Sequence, residues 1–509
     1  MKTSHYPYRH YLVLLVFLFG FALPALAGEE RGRLDAFVER GMELWHVPGM
    51  AVAVVSADEV QFRRGFGVTT IDGGAAVDEH TLFANASTTK AMVAMGLLIL
   101  ADEDKLALDD PIVRHLPELR FQDPLLTAQV TVRDLLAHRT GLPSTDIWSF
   151  MQHMPIAEQI TRLASVAPAA PLRTRHIYQN TMYELIGVLI ERVSGQRWDR
   201  FLTERLWLPI GMTETVGARD QIADGRLHVL PHEYRDERLA LIDWHLPADM
   251  ADAASSAWTS IRDMSLWAQF LLRGGITADG ERLVSAAAIA EMFKPQSLID
   301  REDFYPTAQL TQPRWLSYGL GWFQQDFQGR RIDFHTGSLA GLIAIIGLDR
   351  ANDRAVIVLG NRDHAEMRHA VLWEIMDDSP AGARPDWNQA VFDLYQELAG
   401  ERDSRWEETL AKRMKKTRLS LPLAAYAGSY SNPALGAFTI EHSGNALKLR
   451  TAAVDMPMSH WHLDTFLVEY ASWEIREFAE FRIGPDGRIE SFVLFDEEFR
   501  PAGEDEKRS

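Results

Sequence analysis

The tetrapeptide Ser87-Thr88-Thr89-Lys90 leads directly into an apolar run at 91–98, and it is the only S-x-x-K in the chain. The run predicts a helix that begins at this motif, and the three-residue spacing places the serine hydroxyl and the lysine amine one turn apart on one face. A helix N-terminus favours an anion that develops beside it, and serine becomes a nucleophile when a neighbouring base takes its proton. The motif therefore indicates an activated nucleophile at an oxyanion site. The alternative is a helix-capping serine with an unrelated lysine.

The N-terminal segment is typical of a signal peptide. Lys2 and Arg9 supply positive charge, residues 11–23 form an apolar stretch, and an A-x-A cleavage site follows at 25–27. The apolar stretch of about 13 residues is shorter than the roughly 20 that a membrane-spanning helix needs. We therefore expect residues 1–27 to be removed, and the mature protein to lie in the periplasm or outside the cell with no stable membrane span.

Composition excludes several classes of protein. The chain has no cysteine, so it forms no disulfide, thiol nucleophile or thiolate metal site. Its formal net charge of −19 disfavours nucleic acid and anionic membrane surfaces as partners. A length of 509 residues favours two domains over one.

The first three quarters of the chain follow an α+β pattern. We predict a helix over 31–45, then a buried strand over 50–56 and its partner over 60–69. Segments between about 104 and 300 are predicted to be mostly helical, for example 132–137, 182–193 and 261–272. The pattern then predicts short strands and a closing helix, at 322–327, 331–335, 342–348, 355–359 and 364–376. Because strands flank a helical middle, we expect the early and late strands to share one sheet.

The remaining sequence changes character after about residue 377. Prolines interrupt the chain, a charged helix is predicted over 389–416, and short alternating strands follow Leu421 with a turn at Asp455. The predicted order is a signal peptide at 1–27, an α+β domain at 28–378, a helical linker at 379–420 and a small antiparallel β domain at 421–509. We expect the acidic tail from Glu504 to be disordered.

Three further segments complete a pattern with Ser87-Thr88-Thr89-Lys90. They are L-L-A-H-R-T-G-L-P at 135–143, Tyr178-Gln179-Asn180 and His335-Thr336-Gly337-Ser338. The chain from about residue 31 to 362 resembles the serine β-lactamase-like hydrolases, whose landmarks are S-x-x-K, Y-x-N and K-T-G or H-x-G in that order. This superfamily includes class C β-lactamases, DD-peptidases, D-aminopeptidases and related esterases. The resemblance implies a β-lactamase/transpeptidase-like fold, an antiparallel sheet flanked by helices plus an all-helical subdomain, followed in this chain by a small antiparallel β domain.

The resemblance also implies the catalytic roles. Ser87 would form an acyl-enzyme, Lys90 would accept or relay its proton, and Tyr178 would be a partner base that helps water attack the acyl-enzyme. A tyrosine with a pKa near 10 is a poor base at neutral pH, but a nearby ammonium would favour its phenolate. Whether Lys90 or Tyr178 is the base stays open, and we expect the pair to titrate as one unit.

The remaining motif residues would bind substrate. Asn180 would bind a substrate amide carbonyl or hold Lys90, and His335 and Thr336 would lie beside the nucleophile. Gly337 would permit close approach to the strand edge, and the backbone N–H of Ser338 would form the oxyanion hole with that of Ser87. We predict structural roles for His138, in the segment 135–143, and for Tyr183, which follows shortly after Asn180.

Two departures from the family pattern bear on the substrate. The third motif begins with His335 where many relatives have lysine, and a histidine is mostly neutral above a pKa of about 6.5. This weakens the case for an efficient β-lactamase, because a substrate carboxylate loses its fixed cation. The segment 252–258, D-A-A-S-S-A-W, also replaces a Pro-Ala-Gly-Gly stretch of many relatives, which predicts a reshaped pocket rim.

Together these features predict a secreted serine hydrolase. Its substrate would be a small molecule or short peptide, with peptidoglycan-derived or D-amino-acid peptides leading. A short-chain carboxylesterase, a weak β-lactamase and a non-catalytic penicillin-binding-type protein are the alternatives. The sequence implies no cofactor and no metal, and it does not indicate an oligomeric state.

Overall fold

The computed structural model describes residues 23–380, 382–471 and 475–503. The first 22 residues of the predicted signal peptide and the acidic tail from Glu504 lie outside the described residues. Within the described ranges, no helix combines the length and the apolar character needed to cross a bilayer.

Helices and strands alternate as an α+β chain that ends in a purely β region. The helices are α1 Leu23–Trp45, α2 Thr89–Asp102, α3 Pro124–Gln129, α4 Val132–Leu136, α5 Ile147–Phe150, α6 Ile156–Arg162, α7 Asn180–Ser194, α8 Trp198–Leu202, α9 Ile261–Leu272, α10 Ala286–Met292, α11 Ala308–Thr311, α12 Met367–Met376 and α13 Trp387–Ala411. The strands are β1 Gly49–Val55, β2 Val60–Gly67, β3 Leu82–Ala84, β4 His232–Arg235, β5 Arg238–Leu241, β6 Trp258–Ser260, β7 Ser297–Leu298, β8 Leu316–Tyr318, β9 Phe323–Phe327, β10 Arg330–Leu339, β11 Leu342–Asp349, β12 Arg354–Gly360, β13 Gly428–Asn432, β14 Gly436–Ser443, β15 Ala446–Arg450, β16 Asp455–His462, β17 Thr465–Tyr470, β18 Ile475–Ile483, β19 Ile489–Leu494 and β20 Glu497–Pro501.

The early and late strands share one antiparallel sheet, as the sequence predicted. Its strand order is β2-β1-β12-β11-β10-β9-β8-β7, and β1 pairs with β12 from Met50 opposite Gly360 to Val55 opposite Ala355. Closing the sheet this way brings β10, more than 240 positions later in the chain, close to the helix that carries the S-x-x-K motif.

The position of strand β1 in the sheet explains why its sequence is apolar throughout and does not alternate with polar residues. Every residue of the strand is buried, because both faces of the sheet are covered. Ala51 and Ala53 pack into the core that contains α2 and α9, whereas Val52 and Val54 pack into the core that contains α12. A strand that is buried on both faces has no solvent side on which polar residues would be favoured.

Helix α2 is the centre of the first core. Its residues from Thr89 to Leu100 are all buried, as expected for a helix that is apolar on every side. The helix begins after a 3₁₀ turn at Ala86–Thr88. The S-x-x-K motif therefore lies at the N-terminus of a helix that the core encloses on every side.

The C-terminal region is a closed antiparallel barrel in which β13 to β20 follow one another in order. The turn that the sequence predicted at Asp455 is wrong, because β16 starts at this residue. Asp455 instead forms cross-strand ion pairs with Lys448 and Arg450, at 2.8 and 3.4 Å. Such a pair keeps an aspartate on the outer face of a strand, where propensity alone disfavours it.

Helix α13 packs on both the α+β domain and the barrel. Trp387 and Val391 are buried in the core on the α12 side of the sheet, and Phe392 contacts Trp45 edge to face at 5.3 Å between ring centroids. Farther along the helix, Trp406 stacks on Phe478 of the barrel. The segment predicted as a linker is thus packed against its neighbours along much of its length.

The barrel docks beside helix α5 of the α+β domain. The Trp148 indole donates a hydrogen bond to Ala434 O (2.9 Å), and the Ala453 N–H donates to Met151 O (3.0 Å). Met151 itself is buried within the barrel's apolar core. These contacts place one end of the barrel next to the surface where the sequence motifs meet.

Candidate active site

Ser87 lies on a strained turn between β3 and α2. The preceding residue, Ala86, has a φ of +46°, which is costly for any residue with a Cβ. The Thr88 hydroxyl donates to Asn85 O (2.7 Å) and also lies 2.6 Å from Asn85 Oδ1. The turn presents Ser87 as a partly exposed residue between buried neighbours.

Lys90 is completely buried and its amine is surrounded by acceptors. Its Nζ lies 3.1 Å from Ser87 Oγ, 2.6 Å from Asn180 Oδ1 and 2.9 Å from Ala254 O. In the ammonium form, all three N–H groups have a partner. After one proton is lost, two N–H groups still hold Asn180 and Ala254, and the lone pair is directed at the serine. This arrangement would allow the neutral amine to accept the serine proton.

The buried surroundings of Lys90 favour the neutral form of its amine. Burial lowers the pKa of Lys90 to about 8, although the nearby carboxylates of Asp252, Asp146 and Glu184 oppose the shift. Burial likewise raises the pKa of each of these acids, that of Glu184 to about 8. A buried lysine whose pKa is close to neutrality is suited to proton transfer.

Tyr178 lies beside this pair. Its ring centroid is 4.9 Å from Lys90 Nζ, and its hydroxyl is within hydrogen-bonding reach of Ser87. Burial raises the pKa of Tyr178 well above its ordinary value, and the hydrogen bond to Ser87 only partly offsets this. Burial therefore favours the neutral phenol over the phenolate that a neighbouring ammonium would favour.

The third motif lies on the part of β10 that has β11 as its partner but not β9. Strand β9 pairs with β10 only as far as Phe334, whereas pairing with β11 continues to Leu339. Residues 335–339 therefore lie where β10 borders the Ser87 turn. The backbone N–H of Ser338 belongs to this segment, and its predicted role in an oxyanion hole stays a prediction.

Gly337 is required by the contact between β10 and the Ser87 turn. A Cβ at this position would lie 2.7 Å from Asn85 O, 2.8 Å from Ala86 Cβ and 2.9 Å from Ser87 N. Two of these atoms are backbone, so they have little freedom to move. The glycine brings the strand against the nucleophile turn itself, in addition to any approach by substrate.

A substitution at Gly337 should therefore both destabilise the fold and displace Ser87. We expect Gly337→Ala to lower the free energy of unfolding by about 1–3 kcal/mol and to reduce kcat. Denaturant unfolding and steady-state kinetics on the same preparation measure both effects. Gly400→Ala is the control, because a Cβ there meets nothing within 4 Å in the middle of α13. Unchanged stability and kcat in Gly337→Ala would contradict the close packing.

His335 and Thr336 are buried and engaged by neighbours. His335 Nδ1 donates to Thr336 O (2.6 Å), so its Nε2 accepts from the Tyr318 hydroxyl (3.0 Å). Burial lowers the pKa of His335 to about 3, which keeps the ring neutral. The Thr336 hydroxyl bonds to Tyr305. His335 lies 6.1 Å from Tyr178 between ring centroids, and the substrate-binding roles of His335 and Thr336 stay predictions.

His138 and Tyr183 support the segment that carries Tyr178 and Asn180. His138 Nδ1 accepts the Gln179 N–H (3.2 Å), and its ring lies 4.3 Å from that of Tyr178. Tyr183 is fully buried and donates to Leu136 O (2.8 Å). Both residues serve as structural supports, as the sequence predicted.

Two supporting groups were missed by the sequence reasoning. The buried guanidinium of Arg368 bonds to Gly337 O, donates to Ser338 Oγ (2.9 Å) and pairs with Glu366 (3.0 Å). Asp252 accepts from the Ala254 N–H (2.6 Å) and holds the loop that offers its carbonyl to Lys90. Nothing in the sequence near Arg368 or Asp252 signals the contacts with Gly337, Ser338 and the Ala254 N–H, because these partners are distant along the chain or are backbone atoms.

A cavity of about 880 Å³ opens beside the motif residues, and both units of the protein line it. The α+β domain contributes Asp146 and Ser338, together with apolar side chains such as Trp244. The barrel contributes its β13–β14 and β19–β20 turns through Leu435 and Phe495. The cleft is thus a largely apolar space whose lining includes the end of β10, and Gly337 of that strand contacts the Ser87 turn.

The pKa of Lys90 predicts the pH dependence of catalysis. Only the neutral amine can take the serine proton, so kcat/KM should rise as pH passes through about 8 and then level off. An uncharged ester assayed between about pH 6 and 10 isolates this step. A profile that is flat through this range would exclude Lys90 as the base. A rise confined to still higher pH would instead favour the Tyr178 phenolate, because burial raises the pKa of that residue.

The comparisons with known proteins agree with this geometry. The family model described as Beta-lactamase matches residues 34–379, and a domain of unknown function, DUF3471, matches residues 412–507. The first match contains each of the motifs described above, and the second contains the barrel.

Individual relatives are similar over most of the chain. The unguisins hydrolase ungD of Aspergillus violaceofuscus is 26% identical, with 90% of this chain and 86% of that protein covered. An octameric penicillin-binding protein homologue from Pyrococcus abyssi superposes with a TM-score of 0.60 at 20% identity, over 92% of this chain and 99% of that one. A D-stereospecific amidohydrolase from Streptomyces sp. has a TM-score of 0.55 at 22% identity, over 68% and 99%. Since the Beta-lactamase model spans more than half of its residues, the chain belongs to the β-lactamase family of serine hydrolases.

Proposed function

We propose that this protein is an exported serine hydrolase that cleaves an amide or ester bond through an acyl-enzyme on Ser87. Peptidoglycan-derived or D-amino-acid peptides are the proposed substrates. One observation carries the mechanism: the buried Lys90 amine lies 3.1 Å from Ser87 Oγ, while Asn180 and Ala254 hold it in place.

The first half-reaction follows from this contact. Neutral Lys90 accepts the hydroxyl proton as Ser87 Oγ bonds to the substrate carbonyl carbon. The carbonyl oxygen becomes an oxyanion, which the N–H groups of Ser87 and Ser338 would stabilise. The intermediate then collapses as the bond to the leaving group breaks. Tyr178, as a neutral phenol, would donate a proton to the departing nitrogen or oxygen, and the Lys90 ammonium beside its ring would return a proton to the Tyr178 oxygen.

The second half-reaction releases the acyl group. A water molecule attacks the ester carbonyl of the acyl-enzyme and passes its proton to the same Lys90–Tyr178 pair. Ser87 Oγ leaves and takes a proton back, which restores the starting state. The same groups serve both halves in reverse order, so no further acid or base is required.

Support for a peptide substrate comes from the cleft and from the relatives. The cavity of about 880 Å³ is large enough for several residues and is mostly apolar. Two of the similar proteins carry hydrolase names, an unguisins hydrolase and a D-stereospecific amidohydrolase. A neutral His335 disfavours efficient β-lactam hydrolysis, and the intact set of Ser87, Lys90 and Tyr178 disfavours a purely binding role.

A short-chain carboxylesterase is the second candidate, because an apolar cleft beside an activated serine also accepts simple acyl esters. The two candidates share every step of the mechanism and differ in the leaving group. Export is proposed from the residue pattern of 1–27. It is tested by the N-terminal sequence and cellular fraction of the protein made from the full-length gene.

The test of the proposed function is direct detection of the acyl-enzyme. The purified protein is mixed with a p-nitrophenyl ester, a D-alanyl anilide and a chromogenic cephalosporin, and intact mass is recorded alongside product release. We expect a mass increase equal to the acyl group, located on the peptide that contains Ser87, with the anilide or the ester turned over. Absence of any adduct and of any turnover would refute the proposal, and a stable adduct without turnover would indicate a penicillin-binding-type protein.

A further inference from the structure

The charged side chains that line the cleft are predominantly acidic. Among its lining residues in the described chain, Asp146, Asp363, Asp496 and Glu497 are carboxylates, and there is no lysine or arginine. The two histidines in the lining do not change this balance. His364 lies 3.8 Å from the Asp363 carboxylate, and burial lowers the pKa of His245.

Two cations near the cleft, Lys90 and Arg368, are already engaged. Lys90 is fully buried and bonded to Ser87, Asn180 and Ala254. Arg368 is buried and bonded to Gly337 O, Ser338 Oγ and Glu366. A substrate carboxylate that enters the cleft would therefore face the carboxylates of its lining and no lysine or arginine among the lining residues, which is an unfavourable arrangement in a partly buried site.

Among the acids that line the cleft, Asp146 is connected to the reacting groups through Asn180. It is partly exposed in the cleft and precedes α5. Its Oδ1 accepts the Asn180 N–H at 3.4 Å, and the Asn180 side chain in turn holds Lys90 at 2.6 Å. One residue thus connects Asp146 to the catalytic amine, while the carboxylate also borders the space that substrate would occupy.

The element that carries Asp146 is held in position by the rest of the protein. Trp148, two residues farther along, is buried and bonded to Ala434 of the barrel. A carboxylate on a fixed element loses little freedom when it accepts a hydrogen bond, so it can discriminate between ligands that have a donor and ligands that lack one.

We propose that the cleft selects peptides with no free carboxylate next to the scissile bond, and that Asp146 accepts a hydrogen bond from an amine or amide N–H of the substrate. This inference rests on the proposed function and narrows its substrate class. It favours an aminopeptidase-type or internal amide bond over removal of a C-terminal residue, because the latter leaves a carboxylate beside the reacting carbonyl.

Two substrate comparisons test the proposal. The first compares a peptide ending in D-alanyl-D-alanine with the same peptide as its C-terminal amide. We expect the wild type to prefer the amide by about tenfold or more in kcat/KM. The second compares D-leucyl p-nitroanilide, which has a free amine, with p-nitrophenyl butyrate, which has no N–H donor. We expect Asp146→Asn to lower the ratio of the two kcat/KM values by about tenfold.

Dividing the kcat/KM for the anilide by that for the ester cancels an effect of Asp146 on Lys90 that is common to both substrates, because both use the same nucleophile and base. Asp496→Asn is the matched control. It makes the same charge change at an exposed position of the cleft, and we expect it to change the ratio by less than about threefold because solvent screens the charge.

Three results would overturn the inference while leaving the proposed function intact. They are preference for the free acid, an unchanged ratio in Asp146→Asn, and an equal loss in both variants, each observed with turnover that depends on Ser87. Absence of Ser87-dependent turnover on all four substrates would instead refute the proposed function. The two failures are therefore distinguishable in one set of assays.

Discussion

Replacing Ser87 with alanine should lower kcat/KM on every substrate by roughly 10⁴-fold or more, because no covalent intermediate can form. The effect should appear in kcat more than in KM, since the cleft that binds substrate is unchanged. Residual turnover above the uncatalysed rate would come from oxyanion stabilisation and positioning alone. Steady-state kinetics on the preferred substrate, with the intact-mass assay run in parallel, measure the loss.

The structural control for this prediction is straightforward. Ser87 is partly exposed and its removal leaves no large cavity, so the midpoint of thermal unfolding should stay close to that of the wild type. Ser404→Ala makes the same chemical change on the exposed side of α13 and should leave kinetics unaltered. Retention of activity in Ser87→Ala would show that another residue is the nucleophile, and the acyl-enzyme mechanism on Ser87 would be wrong.

Replacing Lys90 with methionine should lower kcat by about 10³-fold through loss of the general base. Methionine keeps an unbranched apolar chain in the buried channel but cannot accept or hold a proton. The kcat/KM of this variant should also no longer rise as pH passes through about 8. This change in the pH profile would identify Lys90 as the base, whereas a lower rate alone would not. A pH series of wild type and variant on the same ester makes this comparison.

The Lys90 substitution also has a structural cost that must be separated from the catalytic one. Asn180 Oδ1 and Ala254 O lose the amine that holds them, and an unsatisfied buried acceptor costs about 1–3 kcal/mol. Unfolding of the variant should therefore be measured beside its kinetics. Lys294→Met, at a mostly exposed site, controls for the loss of one positive charge. A folded Lys90→Met protein with near-normal kcat would remove Lys90 from the catalytic set.

Much of the α+β domain was predictable because its apolar patterns are unambiguous. The strand predicted over 50–56 is β1, and the helix predicted over 261–272 is α9. Burial on both faces of the sheet makes β1 apolar throughout, and a one-sided apolar stripe marks α9. The barrel was predicted less completely. Its strands β13, β16 and β20 carry polar or charged residues on their outer faces, which weakens the strand signal.

The candidate site, like the fold, was predictable only in part. Ser87, Lys90, Tyr178, Asn180 and the 335–338 segment could be named from short motifs, because each motif is local in sequence and the order of the motifs is informative. The protonation state and the hydrogen-bond partners of each group could not be predicted from the sequence. Whether Tyr178 is charged, whether His335 presents a free nitrogen, and which acceptors hold Lys90 all depend on burial and on partners far away in the chain.

By itself the sequence determined the nucleophile motif, the α+β pattern and the presence of a second β region, since these are encoded in spacing and periodicity. Only the tertiary structure decided the electrostatics and the shape of the site. Pairing of β1 with β12 brings β10 against the Ser87 turn. The core around α2 desolvates Lys90, and docking of the barrel on α5 closes the cleft that Asp146 borders. These contacts join segments separated by up to several hundred residues, and the proton affinity of a buried group is set by all of its neighbours together.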